Sequence, residues 1–331
     1  MHKWMEKQEE TVQKYKQMVL DGQLLGKAEA AVLAQMPLES LCAAADEICR
    51  HFCGNQFDLC TIINAKSGRC SEDCKYCAQS SWYHTAADSY PLLGTEALLE
   101  QAQYNDKKGV PRYSIVTSGR SLSQQEIEQL CGSIPVIKEN TGVSVCVSLG
   151  LLTEAQFRQL KQVGVSRVHN NLESSRRYFA DVCTTHSYDE KIQTIRAAQR
   201  AGLTVCSGGI VGLGETMEDR IDLALTLREL GIKSVPVNLL NPIAGTPYAQ
   251  NERLSNEELR RIVAIFRFLL PDAFIRLAGG RGLLPDKGRS CFTSGANAAI
   301  SGDMLTTSGI TIEQDLALLQ ELHYEVVRPH D

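Results

Sequence analysis

Eight short strand-like runs alternate with helix-length amphipathic segments along most of this 331-residue chain, and that alternation narrows the fold more than any other feature. The runs are 59–65, 112–118, 143–149, 167–172, 204–211, 234–240, 274–278 and 298–301. Helix-like stretches such as 96–108, 124–140, 154–163, 189–201, 217–230 and 255–270 lie between them. Strands separated by helices pair in parallel, and eight such units close into a (β/α)8 TIM-type barrel whose ligands collect at the C-terminal strand ends. A doubly wound open sheet is the alternative. Residues 1–58 read as helical and partly amphipathic, with Cys42, Cys49 and Cys53 at helical spacing as core positions. The expected organisation is an N-terminal helical extension over 1–55, the barrel over 56–310, and a C-terminal helix and tail over 311–331.

The composition narrows the function. A net charge of −5 provides no basic footprint for nucleic acid. The N-terminus lacks an apolar h-region, and no apolar run reaches about 18 residues, so the expectation is a cytoplasmic protein with no membrane span. Twelve cysteines in such a chain are poor disulfide candidates, because the cytosol keeps thiols reduced. Metal or redox chemistry is the better expectation.

The cysteines Cys70, Cys74 and Cys77 stand at CxxxCxxC spacing just after the first strand-like run. Four cysteines saturate an iron–sulfur cluster, whereas three leave one iron without a protein ligand. An open iron can bind a substrate, which points to catalysis rather than electron storage. The loop that carries them, 66–91, is too long for an ordinary βα connection, and long loops on rigid scaffolds usually carry function.

The strands also hold polar residues. Arg112 and Ser114 are two apart and point to one side of their strand; Asn171 and Glu173 repeat the pattern. Cys146, Cys206, Asn238 and Arg276 lie within three further runs. Barrels normally fill their interior with branched apolar side chains, and an unpartnered buried polar group costs roughly 2–7 kcal/mol. Several together imply a polar guest, unless half of them face outward under the helices. The glycines after Cys206 (207-SGGIVGLGE-215) let backbone approach a bound molecule, although a bulge and a tight turn explain them equally. His169 and His186 read as polar lining rather than metal ligands.

Taken together, these features resemble the radical S-adenosylmethionine enzymes. The strings CSEDCKYCAQSS (70–81), VCSGGIVGLGET (205–216), SVPVN (234–238), RLAGGR (276–281) and SGAN (294–297) narrow the resemblance to the biotin synthases. That resemblance implies a 4Fe-4S cluster on Cys70, Cys74 and Cys77 whose open iron chelates S-adenosylmethionine. A flavodoxin or ferredoxin would supply an electron, and the resulting 5′-deoxyadenosyl radical would attack an unactivated C–H of dethiobiotin. It further implies that Tyr76 packs near the adenine and that Asn171 and Glu173 hold the ribose region. Lys191 would lie by the carboxylate, where an arginine is usual, and Gly208 and Gly209 would line the methionine and adenine region. Asn171 and Asn238 would contact dethiobiotin. Cys146, Cys206 and Arg276 would belong to a sulfur-donating auxiliary cluster, and the protein would be a homodimer.

Ser114 stands where this family's auxiliary 2Fe-2S cluster takes its first cysteine. A hydroxyl is a harder, weaker iron ligand than a thiolate. Cys183 is therefore expected to replace the missing ligand, with a larger, four-iron auxiliary cluster as one outcome; Cys291 is the lesser candidate. Competing readings are another radical S-adenosylmethionine barrel and a non-catalytic iron–sulfur carrier.

Overall fold

The computed structural model describes residues 2–302, 304–305 and 309–328. Met1 and 329–331, the outer ends of the expected extension and tail, lie outside the described residues. Helices α1 (His2–Leu20), α2 (Lys27–Leu33) and α3 (Leu38–Cys53) come first. Strands β1 (Gln56–Lys66), β2 (Arg112–Thr117), β3 (Ser144–Ser148), β4 (Arg167–His169), β5 (Thr204–Cys206), β6 (Gly209–Val211), β7 (Ser234–Leu239), β8 (Phe274–Leu277) and β9 (Ala298–Ser301) follow. Every pairing among them is parallel, and β9 pairs back onto β1, so the sheet closes into a (β/α)8 barrel. One stave is made of two pieces, because β5 and β6 both pair with β7.

The crossover helices start where their sequences say they should. Ser123, Thr153, Ser187, Thr216 and Ser255 cap α5 (Gln124–Asn140), α6 (Glu154–Gln162), α8 (Tyr188–Arg200), α9 (Met217–Glu229) and α10 (Asn256–Leu269). Each hydroxyl accepts from the third helical N–H, and a Glu, Gln or Asp there reaches back to the cap. Such caps contribute about 1 kcal/mol apiece. Between α5 and α10 the chain adds the short α7 (Phe179–Val182); α4 (Thr95–Lys107) precedes β2.

Alternation along the strands separates two environments. Tyr113, Ile115, Val145, Val147, Val235 and Ile275 are buried outward against the helices. Residues between them face the lumen. Each buried branched side chain contributes roughly 1.5–3 kcal/mol, so the outer shell carries the stability and leaves the lumen free to be polar. α3 buries Leu41, Cys42, Ala45, Ile48 and Cys49, while Cys53 is half-buried.

Two departures from the sequence expectation have local causes. The run 204–211 breaks because the Gly208 N–H bonds the Asn171 side chain instead of a neighbouring strand. In the tail, α12 (Ile312–Glu321) is followed by β10 (Glu325–Val326), which pairs in parallel with Gln56 and Phe57. Among the described residues no helix is long and apolar enough to cross a membrane.

Candidate active site

A cavity of about 400 Å³ runs from the cysteine loop into the barrel lumen. Cys70, Cys74 and Cys77 line its mouth, together with Tyr76, Asn171, Glu173 and Lys191. Ser114, Cys146, Cys206, Asn238 and Arg276 line its depth. The polar strand residues thus face one interior, and the outward-facing alternative is excluded.

The cysteine loop is held from both sides. Its start turns through Gly68 and Arg69, both at positive φ, after which Cys70 N donates to Gln79 O (3.0 Å) and Ser81 N to Cys70 O (2.8 Å). Across the cavity mouth, Asp73 Oδ1 accepts from the Thr184 and Thr185 N–H groups (2.8 and 3.1 Å). Glu72 Oε2 meets His186 Nδ1 at 2.5 Å and accepts from Thr185 Oγ1 at 2.8 Å. The two acids between the first two cysteines therefore clamp the loop to segment 183–186. Sequence reasoning missed that role, since the acids carry no spacing signal of their own.

Cys183 lies in this clamp. Its thiol is 3.2 Å from Asp73 Oδ1 and 3.3 Å from His186 Nδ1, and the sulfurs of Cys74 and Cys183 and a ring nitrogen of His186 fall within 4.8 Å of one another. The expectation that Cys183 joins Cys146 and Cys206 is not what the structure shows, because the 170–186 loop returns it to the cysteine loop. Cys291 is fully buried in α11 (Arg289–Phe292) and does not line the cavity.

Asn171 and Glu173 form a rigid shelf. Asn171 Oδ1 accepts from Gly208 N (3.0 Å), and its Nδ2 donates to Glu173 Oε2 (3.3 Å). Glu173 sits at φ 66°, bridged to Gly209. A Cβ on Gly208 would stand 1.9 Å from Pro236 O, and one on Gly209 2.3 Å from Glu173 O. These glycines serve strand-to-strand approach behind the shelf, and neither is among the described residues lining the cavity. Glu215 closes its turn by accepting from Gly212 N (2.9 Å), Leu213 N (2.7 Å) and Arg220 Nε (2.6 Å).

Deeper in the lumen, the buried Arg112 and Arg276 and the half-buried Arg167 surround the Asp58 carboxylate. Asp58 Oδ2 accepts from Arg276 Nη2 (2.7 Å) and Arg167 Nη1 (2.9 Å), while Arg112 Nε is 3.5 Å from Asp58 Oδ1. Burial pushes the Asp58 carboxyl up, but Arg276, Arg112 and Arg167 outweigh it and hold it well below the usual range. Around this group stand Cys146, raised by burial, and Cys206, which burial pushes up but His169, Arg276 and Arg167 bring down to about 6. Sequence reading left aside a further thiol here: Cys60 of β1 lines the same cavity, and burial pushes it up to about 12. The alternation Asp58-x-Cys60 in a strand with a buried acid was the available signal.

Residues 65–227 match the radical SAM superfamily, and residues 236–325 match the Biotin and Thiamin Synthesis associated domain. The chain is 56% identical over 325 residues to a biotin synthase of Brachyspira hyodysenteriae, covering 98% of both proteins. It is 60% identical over 308 residues to a biotin synthase of Akkermansia muciniphila, covering 93% of this chain and 96% of that protein. The chain belongs to the biotin synthase family. In fold it is similar to methylornithine synthase (TM-score 0.80, 19% identity, 95% of this chain and 97% of that one). It is similar also to a maturase of the [FeFe]-hydrogenase (TM-score 0.82, 18% identity, 98% and 78%). The biotin synthase matches span the N-terminal helices as well as the barrel.

Proposed function

We propose that this protein inserts sulfur into dethiobiotin to form biotin, using S-adenosylmethionine, a 4Fe-4S cluster and a sacrificial auxiliary iron–sulfur cluster. The observation that carries the reading is a single cavity with an open three-cysteine loop at its mouth and thiols among buried arginines at its base.

The donor sets suit the groups. Three thiols on a doubly anchored loop match a cluster with one iron left for substrate. At the base, Arg276, Arg112 and Arg167 gather around Asp58 beside the thiols of Cys146 and Cys206, a set of guanidinium and thiol groups that suits an anionic cluster with thiolate ligands. When bound, the cofactors supply a 5′-deoxyadenosyl radical and the sulfur atom.

The chain positions and encloses the reactants. Cys70, Cys74 and Cys77 hold the first cluster, and the Glu72–Asp73 clamp keeps that loop in register with the shelf. Asn171 and Glu173 bind the ribose region, Tyr76 the adenine side, and Lys191 offers a cation to the carboxylate, without the fork of an arginine. Gly208 and Gly209 act through the shelf they support. Asn238 Nδ2 donates to Gly209 O (3.1 Å) and its Oδ1 accepts from Gly279 N (2.9 Å). An amide has a second N–H and a second lone pair, which match the ureido ring of dethiobiotin. Cys146, Cys206 and Arg276 hold the auxiliary cluster below. The buried walls exclude water from the radical, and a flavodoxin or ferredoxin delivers electrons at the exposed loop face, where Trp82 is 64% exposed.

An anaerobic assay of reconstituted, reduced protein with S-adenosylmethionine, with and without dethiobiotin, tests the reading. 5′-Deoxyadenosine together with biotin is expected. Nucleoside without biotin would reassign the chain to a different radical reaction, and neither product would leave a non-catalytic iron–sulfur protein.

A further inference from the structure

We infer that Cys60 on β1 supplies the auxiliary-cluster thiolate that Ser114 on β2 cannot. The inference rests on the auxiliary-cluster reading above and assigns a ligand which that reading leaves open.

Strand geometry places Cys60 there. Asp58 points into the lumen, where it binds Arg276 and Arg167, so period two sends Cys60 and Ile62 inward as well. In the parallel register Ile62 stands beside Ser114 and Cys60 beside Arg112, putting the Cys60 thiol one inward step below Ser114 on the adjacent stave. Its electrostatic neighbours are Arg276, Cys146 and Arg112. Arg276 in turn faces both Cys60 and Cys206, and Cys146 faces Cys206. Cys60, Cys146 and Cys206 therefore share one pocket of charge around one guanidinium. The Cys60 thiol is 3.3 Å from the adjacent Thr61 carbonyl, a weak contact that iron ligation readily replaces.

The other thiols are committed elsewhere. Cys183 is tied to Cys74, Asp73 and His186 at the cavity mouth, and Cys291 is sealed behind the barrel wall. Ser114 stands beside Cys146 in the β2–β3 register and so remains a neighbour of the site with the wrong donor atom. The thiol lost from β2 is thus matched by a thiol on β1.

The test uses the full-length chain with Cys70, Cys74 and Cys77 all changed to alanine, so that bound iron and sulfide report on the auxiliary site alone. After anaerobic reconstitution this background is expected to keep a cluster. Adding Cys60→Ala should weaken its retention against a chelator at least about tenfold. Adding Cys183→Ala should leave iron, sulfide and the Mössbauer spectrum unchanged. Combining Cys60→Ala with Ser114→Cys should restore a cluster. Melting curves of the metal-free variants check folding, and Cys60→Ser, which keeps the volume, should shift the Mössbauer signal of one iron site. An unchanged spectrum and full retention in both Cys60 variants refutes the role of Cys60 while leaving the auxiliary cluster standing. A background that binds no iron and sulfide refutes the cluster and Cys60 together.

Discussion

Asp58→Asn probes the electrostatics beneath the auxiliary site. The parent carboxylate is 4% exposed and faces Arg276 at 2.7 Å, Arg167 at 2.9 Å and Arg112 at 3.5 Å. The amide is close to isosteric but removes the charge. It also turns one acceptor into an NH2 group that must point at an arginine N–H. Removing one partner of a buried ion pair costs about 3–5 kcal/mol, against a total stability of about 5–15 kcal/mol. Urea titration of the metal-free protein should therefore show a midpoint lowered by about 1 M or more. The sign with pH follows from the depressed carboxyl. Its stabilising contribution is complete above the unfolded value near ~3.9 and is lost only as pH falls through the lower folded value. The difference between parent and variant should hence stay flat from about pH 8 to pH 5. Reconstitution should shrink the penalty, because an anionic cluster would bring negative charge beside the same arginines. A penalty below about 1 kcal/mol, or one that vanishes by about pH 5, would refute the charge argument.

Two further changes test the shelf and the substrate contact. Gly208→Ala must part β7 from the strand behind the shelf, since its Cβ meets Pro236 O at 1.9 Å. A loss of about 3 kcal/mol in stability and roughly tenfold weaker S-adenosylmethionine binding are expected, read by thermal melting and equilibrium dialysis; a parental melt contradicts the strand-approach role. Asn238→Ala removes the side-chain acceptor of Gly279 N and the amide that faces the ureido ring, so the KM for dethiobiotin should rise about tenfold, and an unchanged KM rejects the contact.

What could be read from the chain before its fold was known follows the range of the underlying interactions. Alternating strand-like and amphipathic runs are local, and they predict the barrel and the helix starts closely; α5 begins and ends where the periodicity puts it. The CxxxCxxC loop is local too. The clamp by Glu72 and Asp73 is not, because its partners lie 111 or more residues away in the chain, as with Asp73 and Thr184. Cys183 shows the same limit from the other side. It follows the Asn171–Glu173 segment in sequence, but the left-handed turn at Glu173 and the short α7 carry it over the mouth instead of down the lumen. Cys60 is the sharper case. In sequence it is one apolar letter in a buried strand, equivalent to any valine, and its value appears only when β1 is set beside β2 with Cys60 next to Arg112. A period-two pattern identifies which side of a strand a residue takes, whereas the stagger between staves decides which inward residues meet. A metal site shared among staves can therefore move a ligand from one strand to its neighbour while the barrel pattern stays the same. At such a site the meaningful unit is the donor set of the whole layer, which among the described residues includes Arg112, Arg167, Arg276, Asp58 and the thiols of Cys60, Cys146 and Cys206.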